Sequence, residues 1–82
     1  MINKIIEAGQ NLKTLLIDYT EKDSSNEGWR EIEPYSFREK NGVSYFYAFD
    51  IKKNEIRIFL IDSINDIEIT ENNFNPRWEV EF

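Results

Sequence analysis

The side chains best placed to do chemistry lie on either side of one dipeptide. Asn41-Gly42 is the strongest short hairpin signal in the chain, because a two-residue type I′ turn needs positive φ at both central positions. Such a turn sets the register of its flanking strands: Lys40 faces Val43, Glu39 faces Ser44, Arg38 faces Tyr45, Phe37 faces Phe46, Ser36 faces Tyr47 and Tyr35 faces Ala48. Opposite residues share a face, so one face gathers Phe37, Phe46 and Ala48, which is core chemistry. The other gathers Ser36, Arg38, Tyr45 and Tyr47. That second set offers hydroxyls, a cation and two rings, with Arg38 in reach of the Tyr45 ring for a cation–π contact. It suits a base stacked beside a phosphate. It also suits an ordinary cross-strand Arg–Tyr pair on a wet sheet face.

Arg57 sits in the middle of the apolar stretch Ile56-Arg57-Ile58-Phe59-Leu60, where a guanidinium must find a partner or a ligand. A three-residue loop at 52–54 pairs Arg57 with Phe49 and brings it to the Tyr45 face. A two- or four-residue loop pairs it with Asp50, on the Phe46 side, because one residue of slip reverses the faces.

Other chemistries fall away on residue types. The chain has no His and no Cys, which removes the commonest general base, the commonest metal ligand and any disulfide. Residues 23–28 carry the glycine of a calcium loop, but Pro34 stands where the terminal glutamate belongs. Glu31 and Glu33 share one side of a strand, and a solvated strand face accounts for them better than an acid/base pair. The three glycines are scattered, so no phosphate-binding glycine loop exists. The expectation is a protein that is not an enzyme and needs no cofactor and no metal.

These residues must be positioned by a short chain. Eighty-two residues make one domain, spanning 1–82, and a chain of this size needs an efficient core; its 6 Phe, 4 Tyr and 2 Trp supply one. Ile2, Ile5, Ile6 and Leu12 at helical spacing predict an amphipathic helix over 2–11. Leu15, Ile17 and Tyr19 alternate and predict a strand over 14–20, followed by a polar loop at 21–28. Strands follow at 29–40, with Pro34 marking an edge or a bulge, at 43–51 and at 55–60. Ile64, Ile67 and Ile69 suggest a short last strand, and 71–82 is a tail. One helix and about five hairpin-linked strands predict a mainly β fold, a small closed or half-closed antiparallel barrel, with the helix across a face or plugging an end. In the tail, Trp78 folds back over the barrel, or Trp78, Val80 and Phe82 form an apolar strip for a partner strand or a second copy in a homodimer.

The net charge of −6 argues against a large polyanion-binding surface. It is uneven, however: 62–82 carries six acidic groups against Arg77, whereas 38–57 carries Arg38, Lys40, Lys52, Lys53 and Arg57 against three acids. A local basic patch is compatible with an acidic protein. The longest apolar run, 45–49, is far short of a membrane span, and the N-terminus lacks the apolar stretch of a signal peptide. A soluble, cytoplasmic domain is expected.

Taken in order, Arg30-Glu31-Ile32-Glu33-Pro34-Tyr35, Asn41-Gly42, Ser44-Tyr45-Phe46-Tyr47-Ala48-Phe49-Asp50 and Arg57-Ile58-Phe59-Leu60-Ile61-Asp62-Ser63-Ile64 resemble a WYL domain. The resemblance covers nearly the whole chain and implies an SH3-like (Sm-like) β-barrel with an N-terminal helix. WYL domains usually follow a DNA-binding module in bacterial transcription regulators, including regulators of phage defence and DNA damage. They are thought to sense a ligand, foremost single-stranded nucleic acid or a nucleotide, through a basic pocket. By this resemblance Tyr45 takes the tyrosine of the family name and Phe46 replaces its leucine. Arg57 takes the arginine before the Phe-x-Leu-like stretch, and Arg38 a basic position of the preceding strand. Ser44 and Ser63 stand where the family has tryptophan and, commonly, arginine. No DNA-binding module lies within these residues, so a DNA-binding domain is an expected partner.

Overall fold

Asn41 and Gly42 have φ of 54° and 78°, and the strands beside them pair in the expected register from Lys40↔Val43 back to Ser36↔Tyr47. The computed structural model describes residues 1–20 and 28–82. It comprises α1 (Ile2–Gln10), β1 (Lys13–Tyr19), β2 (Trp29–Lys40), β3 (Val43–Asp50), β4 (Glu55–Leu60), a 3-10 turn (Ile61–Ser63) and β5 (Ile64–Asn73). The polar loop and the rejected calcium loop fall almost wholly on 21–27, outside the described residues.

The strands form one antiparallel sheet in the order β4-β3-β2-β1-β5. It is barrel-like but not closed: the marginal strands β4 and β5 are joined through the 3-10 turn and not by a ladder. The Tyr19 hydroxyl accepts a hydrogen bond from the Leu60 N–H at 3.2 Å, which ties the end of β4 to β1. The last strand is ten residues long and not short. Its polar residues Asp66, Glu68, Glu71 and Asn72 are exposed and mask its apolar period, as charged side chains on an edge strand do. Ile64 and Ile67 from this strand join Leu15, Ile17, Ile32, Phe46, Ala48 and Phe59 in the main core. The helix α1 packs across β1, β2 and β5, burying Ile5 and Ala8.

One pairing departs from expectation. Ala48 faces Pro34 and not Tyr35, so Tyr35 is the extra residue of a β-bulge. Pro34 has no N–H to give to a ladder, which makes this the place in β2 where an irregularity costs least. Tyr35 nucleates a second cluster with Phe49 and Phe74, flanked by Trp78 and Val80.

The tail closes over this cluster. Pairing of β1 with β2 stops at Leu15↔Ile32, leaving an open edge on the rest of β2. The Glu81 N–H donates to the Tyr35 carbonyl there at 2.8 Å. Trp78 stacks on the Tyr35 ring, centroids 3.7 Å apart at 17°. The fold-back alternative therefore describes Trp78, which is half-buried against Tyr35. The Tyr35 hydroxyl donates to Glu33 at 2.7 Å and accepts from the Arg77 N–H at 3.0 Å. Arg77 also donates through Nε to Glu33 at 3.1 Å, and its guanidinium lies 3.9 Å from the Phe49 ring centroid.

Two outcomes are expected from this packing. Gly42→Ala meets no neighbour within 4 Å, so its cost is backbone strain at positive φ alone, about 1–2 kcal/mol, read as a lower urea midpoint with an unchanged slope. Burial, foremost, and the Glu33 carboxylate push the Tyr35 hydroxyl up to about 12. The fold therefore favours the protonated phenol, a contribution present below the ordinary tyrosine value of about 10 and lost as pH rises toward 12. Urea melts across that window should show wild-type stability falling more steeply than that of Tyr35→Phe.

Candidate ligand site

The β3–β4 connection decides which cations can act together. Asp50 pairs with Glu55, leaving a four-residue loop at 51–54. Two local features set that length: Asp50 Oδ1 accepts the Lys53 N–H at 3.1 Å, and Asn54 takes φ of 55°. Arg57 consequently faces Ala48 and not Asp50, two pairs further along and on the Phe46 side of the sheet. It does not join Arg38, Tyr45 and Tyr47, and grouping Arg57 with them in one site is corrected.

On the outer wall, Tyr45 pairs with Leu60 and Tyr47 with Ile58. Arg38, Lys40, Tyr45, Tyr47, Glu39 and Ile58 line a groove of about 410 Å³. Both tyrosines are half-buried, so each ring is held with a surface toward solvent. Ser36 keeps its register opposite Tyr47 but is buried beside the bulge and does not line the groove. Ile58, absent from the expected set, is 51% exposed, and Ile56 at 60% continues the apolar strip along β4. Both were legible as outward-pointing once the loop length was known. The Arg38 guanidinium is engaged by oxygen acceptors: Nη1 donates to the Phe37 carbonyl at 2.7 Å, and Nη2 to Glu81 at 2.9 Å. That hydrogen bond holds the Glu81 carboxyl below the usual carboxylate range and raises the Arg38 guanidinium.

A second cationic cluster occupies the inner side. The Arg57 guanidinium lies 5.9 Å from the Phe59 ring centroid and 3.4 Å from Glu55. Arg30, from β2, lies 5.7 Å from the same ring, 5.8 Å from the Tyr19 ring and 3.7 Å from the buried Asp50. Arg30 was missing from the expected site residues. The available signal was its two-residue spacing from Ile32, which puts an arginine on an apolar strand face.

Glu31 and Glu33 are not a solvated strand face, because the tail builds a cleft of about 490 Å³ beside them. Glu33 is buried on Tyr35 and Arg77. Glu31 accepts from Thr14 Oγ1 at 2.6 Å and Asn72 Nδ2 at 2.9 Å. Both carboxylates thus serve as acceptors for structural donors. Among the described residues, no helix is long and apolar enough to cross a membrane.

Seven solved chains match this fold. One of them, proteasome accessory factor B/C (PafBC) of Arthrobacter aurescens, superposes with a TM-score of 0.80 at 19% identity, over 88% of this chain and 11% of its own. The chain thus corresponds to a small part of that protein. No curated protein matches in sequence. The WYL domain model matches residues 1–69, from the helix well into β5, leaving only the end of β5 and the tail outside. With helix, barrel-like sheet and hairpin register all inside that match, the chain belongs to the WYL domain family.

Proposed function

We propose that this domain is a non-catalytic ligand sensor of a cytoplasmic bacterial transcription regulator, taking a nucleotide or a short single-stranded nucleic acid in the groove on the outer wall. The observation that carries this is the convergence of Arg38, Lys40, Tyr45 and Tyr47 on one groove of about 410 Å³, a size suited to a small ligand. A held tyrosine ring stacks any base, and a guanidinium clamps a phosphate through paired N–H donors. The family's usual place beside a DNA-binding module supports the regulatory part. With a net charge of −6 and two cations at the groove, binding should engage few phosphates. A salt slope of about −1.4 follows for two phosphates of a single strand.

The convergence of Arg30 and Arg57 on Phe59 favours a second reading, in which the anion enters from the inner side. Fluorescence anisotropy of a labelled oligothymidylate at low salt separates the two. Arg38→Ala and Tyr45→Ala should each weaken binding about tenfold, the scale of one charge-assisted bond or one stacked base, with Arg57→Ala near wild type. Loss confined to Arg57→Ala moves the site to the inner side. Absence of binding to the oligonucleotide and to a labelled nucleotide defeats the sensor reading.

A further inference from the structure

We infer that the segment following Phe74 is a displaceable strap, in which Glu81 holds Arg38 until a ligand anion replaces it; this rests on the groove reading above. The strap is gripped unequally along its length. At its start Trp78 stacks on the buried Tyr35, and Arg77 is bonded to the buried Glu33. At its end the backbone is held by the Glu81 N–H bond to the Tyr35 carbonyl, but the side-chain grip on the groove is one ion pair, Arg38–Glu81, whose side chains are 54% and 44% exposed. Exposed pairs of this kind hold weakly in water. The two free oxygens of a phosphate match the guanidinium fork as those of a carboxylate do, so a phosphate competes for the same donors.

The end of the strap reaches both faces of the sheet. Glu81 bonds Arg38 at the outer groove, while the next residue packs on the core side. The Phe82 ring sits 4.9 Å from the Phe37 ring and 6.5 Å from that of Phe46. It also lies against α1 at Gly9, where an added Cβ would fall 2.3 Å from Phe82 Cδ2. Only glycine leaves room for that ring. Release of the Glu81 side chain therefore loosens Phe82, the residue beyond the Glu81–Tyr35 backbone bond, from its seat, and occupancy of the groove is transmitted to α1. The family match ends at residue 69, so the strap lies outside the matched residues.

The test uses the full chain and the labelled oligothymidylate. Glu81→Gln removes the competitor, and Gly9→Ala unseats Phe82 without touching the groove; each should bind about two- to fivefold more tightly than wild type, the scale of an exposed ion pair. Glu79→Gln, which removes the same charge from an exposed neighbour, should bind like wild type. With ¹⁵N-glycine labelling the three glycines give a simple spectrum, and unlabelled oligonucleotide should move the Gly9 amide of wild type toward its position in Glu81→Gln. If all variants bind like wild type and the Gly9 amide stays still, the strap is overturned and the groove reading stands. If Glu79→Gln tightens binding as much as Glu81→Gln, general charge and not the strap is responsible. Absence of binding by every protein removes both ideas together.

Discussion

The extra residue at Tyr35 sets the phase of β2, and most of the molecule follows from it. Above the bulge, Phe37 points to the core and Arg38 to the outer wall; below it, Ile32 and Arg30 point to the core and Glu31 and Glu33 away from it. In an unbroken strand, alternation would place Phe37 and Ile32 on opposite faces. Both pack in the same core because one residue is left unpaired between them. Pro34, without an N–H, makes the interruption inexpensive at that point.

The same bulge creates the docking place for the tail. Tyr35 offers a ring to Trp78, a hydroxyl to Glu33 and Arg77, and a carbonyl to the Glu81 N–H. Burying the hydroxyl is tolerable because it both donates and accepts; with both partners removed, it would be an unsatisfied buried polar group. Arg77 caps the arrangement, its guanidinium spread over Phe49 and bonded to Glu33. A segment that looks like polar coil thereby becomes the roof of a second core, and its last residues reach the rim of the outer groove.

Charge is arranged along the same division. On each side of the sheet arginine meets an acid: Arg38 with Glu81 at the outer groove, and Arg57 and Arg30 with Glu55 and Asp50 around the Phe59 ring. The outer pair is solvated and exchangeable, whereas Arg30 and Asp50 are almost fully shielded, with side chains 9% and 1% exposed. That contrast in solvation leaves the outer pair open to exchange with water and gives the inner Arg30–Asp50 pair a structural role.

The sequence by itself determined the parts governed by local chemistry. Asn41-Gly42 dictated a turn and hence the face shared by Arg38, Tyr45 and Tyr47, the isoleucine spacing dictated the helix, and Pro34 marked the bulge. Three things waited on tertiary structure. The length of the 51–54 loop, and with it the face of Arg57, depended on a side-chain bond from Asp50 that no periodicity reveals. The length of β5 was hidden because an edge strand carries polar residues on its open face. The course of the tail was decided by an open stretch of β2 and a buried tyrosine, far away in sequence, which only the folded chain brings to it.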